Sequence, residues 1–105
     1  MAQVPSKIIE IIKKFLLEAS KDNVRISKAI LFGSYAKGNY HEYSDIDLAV
    51  ISEDFEGNSF YDGKKLTKAM LRTCIDIESH TYRPEEFNED NPFVKEILRY
   101  GIQII

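Results

Sequence analysis

Apolar positions near the start of the chain recur at helical intervals. Ile8, Ile12, Phe15, Leu16 and Ala19 fall on one side, with lysines and glutamates between them. This spacing predicts an amphipathic helix over residues 6 to about 19, with Ser6 available as its N-cap. An apolar run over 28–32 then reads as a strand that stops at Gly33-Ser34, and 45–51 reads as a second strand after a polar connection containing Gly38 and Asn39. A helix is predicted over 61–72, with Leu66, Ala69 and Met70 inward, followed by a third strand over 74–82. Pro84 starts a short turn or helical segment, and Asn91-Pro92 supplies a cap and first position for a last helix that Gly101 ends near Tyr100. The closing Ile102, Ile104 and Ile105 either add an edge strand or pack against the body.

Composition narrows the class. A chain of 105 residues with 44% hydrophobic and 30% charged content, and no repeat, low-complexity tract or linker, suits a single domain over 1–105. Such a domain buries only about two-thirds of the surface its unfolded chain exposes, which leaves little room for a separate substrate-recognition module. A net charge of -3 gives no broad attraction for a nucleic-acid backbone or an anionic membrane, so strong nucleic-acid binding is not expected. Cys74 is alone, which rules out an internal disulfide and fits a reducing compartment; its neighbours Leu71 and Ile75 suggest a core thiol. Charged residues interrupt the N-terminal isoleucines, so no secretory signal is read there, and no apolar run reaches membrane-spanning length; cytoplasmic location is the expectation.

The chemistry concentrates between Leu31 and Val50. A strand running into Gly33-Ser34 lets the backbone approach a ligand closely, and a helix starting there would expose unpaired amide donors to a triphosphate. Ser34 adds a hydroxyl, and Lys37 stands one turn further on with a positive charge for the same phosphates. Asp45 and Asp47 alternate with Ile46 and Leu48, so a strand directs both carboxylates to one face. Like charges held together on a sheet repel, which makes the pattern costly unless a cation occupies that face; hard oxygen ligands favour magnesium or manganese. A third acid comes from the segment ending at His80, where Asp76, Glu78 and His80 share one face; Asp76 is the choice, with Glu78 its supporting partner or rival. Among the remaining polar residues, His41 reads as a solvated loop residue and His80 as a hydrogen-bonding support rather than a ligand. Tyr35, Tyr40, Tyr43 and Tyr61 serve equally as base-stacking or half-buried packing residues.

Together these residues resemble the minimal nucleotidyltransferase family of the DNA polymerase beta superfamily. The match runs from Gly33-Ser34 through ten intervening residues to Asp45-Ile-Asp47 and then to Asp76. Lys37 stands where such domains more often carry arginine, and Tyr43 where an acid is frequent. The resemblance implies an α/β (α+β) core, a small mixed β-sheet with helices mainly on one side. It also implies Mg2+, two ions with Mn2+ as substitute, held by Asp45, Asp47 and Asp76, and a nucleoside triphosphate such as ATP held by Gly33, Ser34 and Lys37. The implied reaction moves AMP to an acceptor hydroxyl. Stand-alone members are similar to antitoxins that work with a HEPN-family helical ribonuclease, sometimes adenylylating a tyrosine on it, so a comparable partner is expected. The alternative from another class is a nucleotide-binding or partner-binding module, which would bind without releasing pyrophosphate.

Overall fold

A computed structural model of the chain describes residues 4–105. Helix α1 spans Ser6–Lys21, strand β1 Lys28–Phe32, the one-turn helix α2 Ser34–Lys37 and strand β2 Ile46–Ile51. Helix α3 spans Ser59–Thr73, strand β3 Ile77–Tyr82, a 3-10 turn Pro84–Glu86, helix α4 Pro92–Tyr100 and strand β4 Ile102–Gln103. None of these helices is long and apolar enough to cross a membrane.

The elements match the expected order, with local differences at their ends. Ser6 lies inside α1 rather than capping it: the Pro5 carbonyl already accepts the Ile8 and Ile9 amides, so the helix begins one residue earlier than a serine cap would need. The third strand starts at Ile77, not at Cys74. Residues 74–76 form the exit of α3, where the Cys74 amide donates to Met70 and the Ile77 amide to Cys74. Cys74 is half-buried against the main core, while Leu71 and Ile75 face solvent. At the C-terminal end, Ile102–Gln103 takes the edge-strand option by pairing with β1. The asparagine cap holds as read: the Asn91 side chain accepts the Phe93 and Val94 amides.

The strands form one sheet in the order β3-β2-β1-β4. β1 runs antiparallel to both β2 and β4, whereas β2 and β3 run parallel, a pairing that requires the crossover supplied by α3. One face buries Leu31, Ile46, Leu48 and Val50 against Ile12 and Phe15 of α1 and Leu66 and Ala69 of α3. Full burial of a large apolar side chain contributes about 1.5–3 kcal/mol, so this layer carries most of the fold's cohesion. On the other face a smaller cluster joins Ile30 and Ala49 to Ile97 of α4, with Phe32, Tyr82 and Phe87 packed around it. The lighter cover leaves the β2–β3 end of this face for polar side chains.

Candidate active site

Asp47 is the centre of that polar region. In the β-ladder it lies opposite Phe32 of β1 on one side and Glu78 of β3 on the other. Paired residues project to the same face, and alternation along β3 adds His80, which is paired with the small Ala49. The result is a group in which ligand atoms of Asp47, Glu78 and His80 all lie within 4.8 Å of one another. Gly33 makes room for it. At φ +74° it occupies a conformation unfavourable to residues with a side chain, and a Cβ there would collide with the Asp47 carboxylate.

The charges in this group are uncompensated. Among the described residues no lysine or arginine pairs with Asp47 or Glu78; the nearest basic group is His80, its Nε2 3.8 Å from Glu78 Oε1. Burial pushes the Asp47 carboxyl above its ordinary range, the negative charges of Glu78 and Asp45 push it the same way, and His80 opposes them. The His80 ring is held edge-on by Phe32, with centroids 5.0 Å apart, and lies 5.8 Å from Phe93. Its Nε2 is buried without a hydrogen-bond partner. A divalent cation fits this set: two carboxylates gathered without their own counter-charge, a glycine cradle against one of them, and an orphaned imidazole nitrogen beside both.

Of the three residues expected to bind the nucleotide, Gly33 stands beside this group and the other two follow it in α2. Gly33 touches Asp47; Ser34 opens α2, whose first amides have no acceptor within so short a helix; and Lys37 ends that turn. Lys37 and Gly33 line a cavity of about 280 Å³ with Phe32, Phe93 and Tyr100, and Lys37 Nζ lies 3.9 Å from Glu96 of α4. Phe32 and Phe93 are shared between this cavity and the packing of His80, which places the cavity next to the carboxylates.

The expected carboxylate trio assembles differently. Asp45 is exposed immediately before β2; its charge acts on Asp47, but it is outside the close group. Asp76 is also outside the close group. It precedes β3 and lines a separate cavity of about 570 Å³ with Tyr35, Tyr40 and Cys74, where Cys74 Sγ approaches its Oδ2 at 3.9 Å. In the ladder Ile46 pairs with Ile77 and Glu78 lies opposite Asp47, while the Ile46 amide donates to the Asp76 carbonyl, so the Asp76 backbone sits beside the start of β2. That second cavity is the larger; Asp47 and Glu78 line neither, but the smaller one contains Gly33, whose Cα faces the Asp47 carboxylate, and shares Phe32 and Phe93 with the packing of His80. The stacked pair Tyr35 and Tyr40, with ring centroids 4.7 Å apart, lines the larger cavity. Tyr43 and Tyr61 are exposed. His41 stays in the loop, its Nδ1 accepting the Tyr43 amide.

Comparison with known proteins agrees with this fold. The sequence profile of a family described as nucleotidyltransferase domain matches residues 9–104. A chain from Methanocaldococcus jannaschii, named as a candidate protein adenylyltransferase, is 30% identical over 103 residues, covering 93% of this chain and 99% of that one. Among solved structures, a candidate nucleotidyltransferase from Sulfolobus solfataricus superimposes with a TM-score of 0.66 at 17% identity, over 92% of this chain and 78% of the other. A chain from a toxin-antitoxin assembly crystallised with AMP-PNP gives a TM-score of 0.60 at 22% identity, over 87% of this chain and 70% of that one. At these identities the structural likenesses speak for the fold.

Proposed function

The chain belongs to the nucleotidyltransferase-domain family, and on that premise we propose that it adenylylates a hydroxyl of a protein acceptor, using ATP and a divalent cation. The observation that carries the metal site is the contact between Gly33 and Asp47 on the face where Glu78 and His80 converge. The name of the Methanocaldococcus jannaschii relative supports a protein acceptor.

When bound, the cation would neutralise phosphate charge and lower the pKa of the acceptor hydroxyl. The chain's residues do the rest. Asp47 and Glu78 would hold the cation, with the charge of Asp45 acting on Asp47; Mg2+ and Mn2+ both suit carboxylate oxygens. The Gly33 backbone, the Ser34 hydroxyl and the free amides of α2 bind the departing phosphates, and Lys37 shares its charge between Glu96 and that anion. The acceptor oxygen bonds to the α-phosphorus, the bond to the bridging oxygen breaks, pyrophosphate leaves with the electron pair, and the hydroxyl proton passes to solvent. Glu78 takes the position earlier expected of Asp76, on the strength of the ladder register.

The fold shared with a toxin-antitoxin chain supports a toxin as the acceptor, and a tyrosine of a HEPN-family helical partner is the specific proposal. Transfer of label from α-labelled ATP to such a partner tests both. Asp47→Asn should remove transfer, and undiminished transfer would reject the metal-binding role; a partner that neither binds nor gains one adenylyl unit would reject the acceptor.

A further inference from the structure

His80 is more than a neighbour of the carboxylates. Its Nε2 has lost contact with water yet makes no hydrogen bond, an arrangement that a folded chain rarely leaves without a ligand. That side chain also lies among atoms, all within 4.8 Å of one another, that include oxygens of Asp47 and Glu78. Phe32 and Phe93 flank the ring, so its orientation is set by packing before any ion arrives.

We infer that His80 is a direct nitrogen ligand of the cation at this site, and that one imidazole with two carboxylates selects Mn2+ over Mg2+. The inference rests on the metal site proposed above and specifies its third donor. Mg2+ prefers an all-oxygen octahedron and keeps its waters, gaining little from an imidazole. First-row transition ions bind imidazole nitrogen more strongly, and Mn2+ is the member that also suits a carboxylate majority. If His80 merely positioned Glu78 by hydrogen bonding, its loss would weaken both ions alike.

The decisive measurement is pulsed electron paramagnetic resonance of the Mn2+-loaded full chain, without a histidine tag and with a non-hydrolysable ATP analogue present. Protein carrying 15N-histidine should show 15N coupling to Mn2+. That coupling should persist in His41→Gln and vanish in His80→Gln. In equilibrium titrations His80→Gln should weaken Mn2+ binding by about tenfold and Mg2+ binding by less than about twofold.

Mn2+ bound without 15N coupling, or coupling lost with His41, would overturn the role of His80 while leaving the carboxylate site intact. Equal weakening of both ions would overturn the selectivity. Absence of Mn2+ binding, or binding indifferent to Asp47→Asn, would overturn the site and the inference together. Should His80→Gln fail to fold, the labelled wild-type protein and His41→Gln still decide whether His80 is the ligand.

Discussion

Two groups of acidic side chains in this molecule have opposite electrostatics. At the seam of α1 and α3, Glu18 and Asp22 are clamped by basic partners: Arg72 reaches Glu18 at 2.6 Å and Asp22 at 2.8 Å, and Lys21 reaches Glu18 at 2.8 Å. Hydrogen bonds from Lys21 and Arg72 hold the Glu18 carboxyl below its ordinary range, and the same acids hold the Arg72 guanidinium above its own. On the sheet face, Asp47 and Glu78 meet without a lysine or arginine, and Asp47 shifts the other way. The seam carries its cations within the chain and is complete. The sheet face gathers like charges against a smaller apolar cluster, and no lysine or arginine among the described residues pairs with them.

The contrast breaks most sharply at Gly33. Replacing it with alanine should displace the Asp47 carboxylate and lower adenylyl transfer on the order of 10³-fold, about as much as Asp47→Asn. A radiolabel assay with circular dichroism on the same sample separates lost chemistry from lost fold. Near-normal transfer by Gly33→Ala would show that the Asp47 position is not critical.

A second effect separates the two rival acids. Glu78→Gln should cost about 10²-fold in transfer, whereas Asp76→Asn, on the far cavity, should stay within about threefold. The reverse order would restore Asp76 as the third ligand and refute the register argument.

Stability should divide the two groups by sign. Without metal, Asp47→Asn relieves repulsion and should raise the thermal midpoint, while Arg72→Ala strips the seam of its cation and should lower it. Added Mn2+ should stabilise the wild type but not Asp47→Asn. A lowered midpoint for metal-free Asp47→Asn would mean that the sheet-face charges are already compensated.

The smallest effect concerns pH. The Asp47 pKa is raised in the folded state, so its charge lowers stability at neutral pH, and the penalty fades as pH falls through the folded pKa toward the ordinary 3.8. The Glu18 pKa is depressed, so its stabilisation is fully present above the ordinary 4.5 and is lost as pH falls through the folded value. In metal-free melts, acidification should therefore narrow the gap by which Asp47→Asn exceeds wild type as pH falls through the folded Asp47 pKa, and narrow the gap by which wild type exceeds Glu18→Gln as pH falls through the depressed Glu18 pKa. Parallel gaps would contradict the opposite shifts.

Much of this arrangement was legible in the chain. The helical period of Ile8, Ile12, Phe15 and Ala19, the apolar run into Gly33 and the alternation around Asp47 are local signals, and each formed the element it implied. The same alternation placed Glu78 and His80 on one face of β3. The start of β3 was harder to read: residues 74–76 look strand-like in sequence but precede the strand, although the Ile46 amide already donates to the Asp76 carbonyl. His80 reads in sequence as a hydrogen-bonding residue, as a lone histidine in an alternating strand ordinarily is; its orphaned nitrogen and its wall of Phe32 and Phe93 exist only after folding.

The sequence by itself determined which side chains could share a strand face, and that a glycine would precede the first turn of α2, because side-chain alternation and backbone permissiveness are local properties. Only the tertiary structure decided which acid meets Asp47. β2 and β3 are joined through the whole of α3, so their register is set by how that helix packs across the sheet and against α1. Such long-range packing leaves no mark within either strand.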